Sequence, residues 1–176
     1  MKIKEAMEFA VPIMNTDFLL YQHCINVAGI AYAAAKKLNI DAEKAFVGGL
    51  LHDYGKLAFV KITLSQGPGA IAFMDHPVLG YATLREVDED AAIIAYMHHS
   101  YQRIPYPQVK EIEVPKDLEI YCQLISYIDK VEAFITRSEK SPANAIEIVD
   151  KFYPFDKNMR QAVKDVVTSV SMLRLT

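Results

Sequence analysis

The chain has 176 residues, enough for one domain with a real core, and we expect a single domain over residues 1–176. Apolar residues make up 52% and charged residues 23%, the balance of an ordinary globular protein. A net charge of −3 and a pI near 5.9 supply no broad positive field, which argues against duplex nucleic acid or a membrane surface as partner.

Cys24 and Cys122 stand far apart, which excludes a CxxC redox or zinc motif and gives no sign of a disulfide framework. The first eight residues, Met1 to Glu8, carry acids where a secretory signal needs an apolar core. The longest uninterrupted apolar run, Val27 to Ala35, is too short to span a bilayer. A reducing cytoplasm is the expected setting.

Taken in order, Glu5 to Met14 predicts a short helix stopped by Pro12. Asn15-Thr16-Asp17 is an N-cap cluster for a long helix from Phe18 to Leu38. Small residues fill its middle, so another helix can pack closely on it, and His23 lies in its first two turns. Asn39-Ile40-Asp41 makes a turn, and Ala42 to Tyr54 predicts the helix that delivers His52 and Asp53. Gly55 would end that helix in a left-handed conformation. Leu57 to Asp75 is the least regular stretch, with a loop at Ser65-Gln66-Gly67-Pro68-Gly69.

Pro77 opens the next helix, to about Glu86, behind Asp75 or His76 as cap. Asp88 caps another, Ala91 to His99. A second loop, Ser100 to Pro115, carries three prolines, Tyr101 and Tyr106. A helix starting at Lys116-Asp117 places Asp129 on its core-facing stretch. Two amphipathic helices close the chain, Ser141-Pro142 into Val149 and Asp156 into Leu173. The last has an apolar stripe of Met159, Val163, Val166, Val167, Val170 and Leu173 that reads as core. The brief alternation at Val109 to Val114 does not make a strand, and the fold class is all-α.

Each polar feature has an ordinary explanation when taken singly. His52-Asp53 can be a helix end with a capping pair, and His23 an ordinary helix histidine. His76-Pro77 can be a turn, and His98-His99 a helix C-terminus favouring positive charge. Asp129 can pair with Lys130 or Arg137. The set is what argues otherwise. Five histidines, His23, His52, His76, His98 and His99, each at or near a helix terminus or first turn, join Asp53 and Asp129 as N and O donors, with no thiolate among them. Such donors suit two ions of iron, manganese or a similar divalent transition metal, not a structural zinc.

In this order the residues resemble the HD superfamily of metal-dependent phosphohydrolases, and within it the HD-GYP branch. The motifs are His52-Asp53-Tyr54-Gly55-Lys56, His76-Pro77-Val78-Leu79-Gly80, His98-His99 with Tyr106-Pro107, and Ile128-Asp129-Lys130-Val131-Glu132-Ala133. Ser141-Pro142-Ala143-Asn144-Ala145 and Phe155-Asp156 extend the likeness to the last helix. The resemblance implies a helical bundle around two metal ions bridged by Asp53. His23, His52 and Asp129 would complete one site, and His76, His98 and His99 the other. It also implies Lys56 beside a substrate phosphate and cyclic di-GMP as the branch's substrate. The N-terminal half resembles HD hydrolases of dinucleoside polyphosphates as well.

The chain departs from that branch around the substrate. Pro105 replaces a glycine before Tyr-Pro, the loop there is a residue shorter, and Ser100 replaces a glutamate. Arg137 is shifted by one. Leu19 stands where some members carry a carboxylate, so no third metal is expected.

The resulting expectation is a metal-dependent phosphohydrolase that cleaves a nucleotide or cyclic dinucleotide phosphoester with a metal-activated water. Asp53 and Lys56 carry the chemistry, and Lys56, Tyr101, Arg103, Tyr106 and Arg137 face the substrate. A homo-oligomer is compatible with this. The alternative is a non-catalytic module of the same fold that binds a nucleotide or signalling partner. Such modules usually lose ligands, and this chain keeps all of them.

Overall fold

The computed structural model describes residues 1–59, 74–107 and 112–169, and every regular element among them is helical. The helices are α1 (Ile3–Phe9), α2 (Val11–Thr16), α3 (Phe18–Leu38), α4 (Ala42–Leu51), a 3-10 segment (Tyr54–Phe59), α5 (His76–Leu84), α6 (Glu89–Met97), α7 (Glu119–Thr136), α8 (Pro142–Asp150) and α9 (Lys157–Ser169). The Ser65–Gly69 loop, part of Val109–Val114, Val170 and Leu173 lie outside the described residues.

Local chemistry sets most of the boundaries. The Asp17 carboxylate accepts from Leu20 N–H at 2.9 Å and opens α3, a cap that contributes about 1 kcal/mol. Asn39 closes α3 at φ 55, the left-handed position that asparagine tolerates. Asp41, Asp88 and Ser141 cap α4, α6 and α8 in the same way.

Several boundaries differ from expectation: α5 ends at Leu84, and α6 runs Glu89–Met97 from its Asp88 cap, which leaves His98-His99 beyond its end. Pro12 does not stop a helix. It sits in the first turn of α2, where its missing N–H has no helical partner to lose, and the chain breaks instead at Ala10. Helix α4 ends at Leu51, not Tyr54. Beyond it the ladder tightens to i→i+3 spacing, with Lys56 N–H on Asp53 C=O at 2.9 Å, so His52 and Asp53 occupy a turn. Helix α7 begins at Glu119, after a turn in which Leu118 N–H bonds to Pro115 C=O at 2.9 Å.

Gly55 also has a different role from the left-handed stop. It lies within the 3-10 segment, and a Cβ there would fall 2.0 Å from the His76 carbonyl oxygen and 2.5 Å from Gly80 N. The missing side chain lets this segment lie directly on α5.

Helix α3 is the axis of the bundle. Its N-terminal half packs with α1, α2 and α4 around Ile13, Leu20, Cys24 and Leu50. Its C-terminal half packs with α7 and α9 around Ile30, Ala34, Leu124, Ile128, Val163 and Val167. The small-residue stretch does admit a close neighbour, since a Cβ on Gly49 of α4 would meet Ala28 Cα at 2.9 Å. By length and composition α3 is apolar enough to cross a membrane, but 56% of its most apolar window is buried inside the bundle. It is a core helix here, and it carries His23.

Gly55→Ala should destabilise the protein by about 1–3 kcal/mol or more, because backbone atoms on two segments must part. Gly29→Ala, where nothing lies within 4 Å, should be neutral or slightly stabilising in its helix. Urea unfolding of the two variants checks the contrast.

Candidate metal centre

Five segments aim polar groups at one buried point. Helix α3 supplies His23, the turn after α4 supplies His52 and Asp53, and the first residue of α5 is His76. His98 and His99 follow the end of α6, and Asp129 comes from the middle of α7. All seven side chains are buried, with Asp53, His52, His76 and His98 at 0% exposure.

They fall into two groups whose donor atoms lie within 4.8 Å of one another: Asp53, His76, His98 and His99, and His23, His52 and Asp129. Asp53 faces both. Its Oδ1 lies 3.1 Å from His76 Nε2 and 3.4 Å from His98 Nε2. Its Oδ2 lies 3.4 Å from His52 Nε2 and 3.6 Å from His23 Nε2. Asp129 Oδ1 adds a contact of 3.2 Å to His23 Nε2.

The backbone fixes how two of the rings present themselves. His52 Nδ1–H donates to Gly49 C=O and His98 Nδ1–H to Ala95 C=O, each at 2.7 Å, so Nε2 of both rings turns inward. His23 Nε2, His52 Nε2 and Asp53 Oδ1 are buried and make no hydrogen bond. Buried polar atoms are rarely left so, and a cation is the group that completes this set. The donors are nitrogen and oxygen only, which fits divalent iron or manganese.

The electrostatics of four of the seven donors agree with that fit, whereas at His23 burial is outweighed by Asp129 and Glu132, which raise it above its ordinary value. Burial alone would raise the Asp53 carboxyl, but Lys56, His52 and His76 outweigh it and hold it well below the usual carboxylate range. Burial likewise opposes the lowering of Asp129, and Lys130, His23 and His99 prevail. Burial pushes His98 down to about 3 against the pull of Asp53, with His52 and His76 adding to the fall. Burial, His98 and Lys130 push His99 well below its ordinary value. The carboxylates are charged and these two imidazoles neutral, the forms that donate lone pairs to a metal.

The expected substrate residues divide. Lys56 is at the centre, its ammonium on Asp53 Oδ2. Tyr106 is there too, its ring 4.3 Å from that of His99 at 34° and 6.0 Å from that of His76. Tyr101 instead packs edge-on against Phe155 at 5.4 Å, on the main apolar core. Arg103 is exposed on the loop, and Arg137 is exposed at the end of α7.

Three further residues carry site contacts: Lys130, whose pairing with Asp129 the sequence offered as that carboxylate's ordinary explanation, and Glu132 and Asn26, which the sequence reading did not assign. Lys130 Nζ bonds Asp129 Oδ2 at 2.8 Å and lies 3.1 Å from His99 Nδ1. Glu132 takes His23 Nδ1–H at 2.5 Å and Asn26 Nδ2–H at 2.8 Å. The available signal was spacing, because Asn26 follows His23, and Glu132 follows Asp129, by three residues on one helix face.

Comparison with known proteins agrees with this geometry. The HD domain family model matches residues 20–133. Ribonuclease Y of Mycoplasma mycoides is 42% identical over 73 residues, which is 41% of this chain and only 15% of that protein's length. Two crystal structures of the HD domain of the L. monocytogenes phosphodiesterase PgpH, one of them a complex with cyclic-di-AMP, match with a TM-score of 0.66 at 22% identity. The match covers 90% of this chain and 93% and 94% of theirs, and it is a likeness of fold.

Asp53→Ala should leave a folded chain that retains at most one weakly held ion, whereas the unaltered protein, reconstituted with manganese, should carry two. Metal analysis after gel filtration measures this, with circular dichroism as the check on folding. Two tightly held ions in the variant would show that Asp53 does not join the groups.

Proposed function

We propose that this chain, which belongs to the HD domain family, is a metal-dependent phosphodiesterase that hydrolyses a nucleotide phosphodiester. The observation that carries this reading is the pair of buried donor groups facing the two oxygens of Asp53. Two divalent ions held there would supply Lewis acidity toward a phosphoryl oxygen and a water acidic enough to attack at neutral pH. His23, His52 and Asp129 would hold one ion, and His76, His98 and His99 the other, with Asp53 between them. Hydrolysis forms a bond from water oxygen to phosphorus and breaks one P–O ester bond, leaving a phosphomonoester and a hydroxyl.

The remaining residues bind and orient. Lys56 is in place to turn from Asp53 to a phosphoryl oxygen, where its charge offsets the charge that develops on attack. The Tyr106 ring offers a stacking face for a base beside His99. Arg103 and Arg137, both exposed, suit the outer phosphate or ribose of a larger substrate. Tyr101, whose ring packs edge-on against Phe155, anchors the loop that carries Arg103 and Tyr106.

For the substrate class we favour a cyclic dinucleotide. The PgpH HD domain, similar in fold over most of this chain, binds cyclic-di-AMP, and the paired histidines with Tyr106-Pro107 support the finer HD-GYP reading with cyclic di-GMP. Pro105 in the same loop gives the specificity a reason to differ between the two.

A panel of cyclic di-GMP, cyclic-di-AMP, linear dinucleotides and nucleoside monophosphates, with added manganese or iron, tests the reading. Hydrolysis of at least one cyclic dinucleotide is expected. Lys56→Ala should keep both ions and lose about 10²–10³-fold in rate. A protein that holds two ions, binds a cyclic dinucleotide and hydrolyses nothing would be a binding module instead.

A further inference from the structure

We propose that Glu132 and Asn26 are positioning residues that set the metal affinity of the His23 side of the centre, an inference that rests on the metal-centre reading above.

Glu132 is only 1% exposed, and His23 is its sole ion-pair partner among the described residues. A buried carboxylate persists only when its oxygens are satisfied. Here each oxygen has one donor, His23 Nδ1–H on Oε2 at 2.5 Å and Asn26 Nδ2–H on Oε1 at 2.8 Å. The proton on Nδ1 leaves Nε2 as the ring's donor atom. That atom is buried without a hydrogen bond, 3.2 Å from Asp129 Oδ1 and 3.6 Å from Asp53 Oδ2. Glu132 thus fixes both the tautomer and the angle of the ring.

The asymmetry among the histidines gives the inference its force. His52 and His98 rest on neutral backbone carbonyls at 2.7 Å. His23 rests on a carboxylate, which makes its imidazole the more basic donor. The arrangement is built from two helices. Asn26 and His23 share a face of α3, and Glu132 and Asp129 share a face of α7, so each helix contributes one donor to the centre and one supporting group. No hydrogen bond or ion pair joins Glu132 to His76, His98, His99 or Asp53 among the described residues, so its removal should act first on the His23 side.

The test titrates metal-free protein with manganese(II) by calorimetry and reads stoichiometry and affinity at each site. The unaltered protein should bind two ions. Glu132→Ala should weaken one of them by about 10–100-fold and leave the other unchanged. Glu132→Gln, which keeps the shape and one acceptor, should fall between, and Asn26→Ala should produce a smaller loss at the same site. Combining Glu132→Gln with His52→Ala should lose no further ion, whereas combining it with His98→Ala should affect both. If Glu132→Ala fails to fold, the Gln variant decides. Two unchanged affinities in folded Glu132 variants, or equal weakening of both sites, would overturn the inference while leaving the metal centre intact. An unaltered protein that binds no metal would overturn the metal-centre reading itself.

Discussion

A carboxylate with no exposed surface stands among four imidazoles and an ammonium in the middle of the bundle. Burying Asp53 would cost several kcal/mol if it were alone. Its charge is tolerated because Lys56 and the histidines surround it, and those side chains can do so only if their segments meet within a few ångströms. Several features of the fold serve that meeting. The close packing of α3 and α4 at Gly49 and Ala28 brings His23 and His52 into edge contact, with ring centroids 5.2 Å apart. The bare backbone at Gly55 lets the segment carrying Lys56 lie on the start of α5, where His76 points inward. Helix α6 stops at Met97, and His98 and His99 follow its end with their ring planes 44° apart.

The same arrangement leaves polar atoms buried without partners, and those atoms face one another across the place where the two donor groups meet. A protein core does not normally leave its donors and acceptors this way, because each unmet group costs about 1–3 kcal/mol. Unmet imidazole nitrogens and a carboxylate oxygen converging in a buried space, with no thiolate among them, describe a cation site. The family match over residues 20–133, which contains all seven donors, is consistent with that description.

Much of this was legible in the chain. The five histidines stood out because histidine is scarce and each fell near a predicted helix end or first turn, and Asp53 and Asp129 joined them through their place in the ordered motifs. The caps at Asp17, Asp41 and Asp88 were readable because a short acceptor side chain before an apolar run has one main structural use. What was not legible depended on contacts between distant segments. Gly55 looked like a helix stop, since nothing local shows that a carbonyl from residue 76 would lie against it. Tyr101 and Tyr106 are alike in sequence, yet one packs on Phe155 and the other on His99. Glu132 sat inside an apolar stretch as an ordinary helix acid until His23, 109 positions away, was found at its oxygen.

Anomalous diffraction from crystals of the manganese-loaded protein, recorded at the manganese edge, tests the central claim most directly. The account predicts two peaks, one within reach of Asp53, His76, His98 and His99 and one within reach of His23, His52 and Asp129, with Asp53 touching both. A single peak away from Asp53, or no peak from fully loaded crystals, would contradict it.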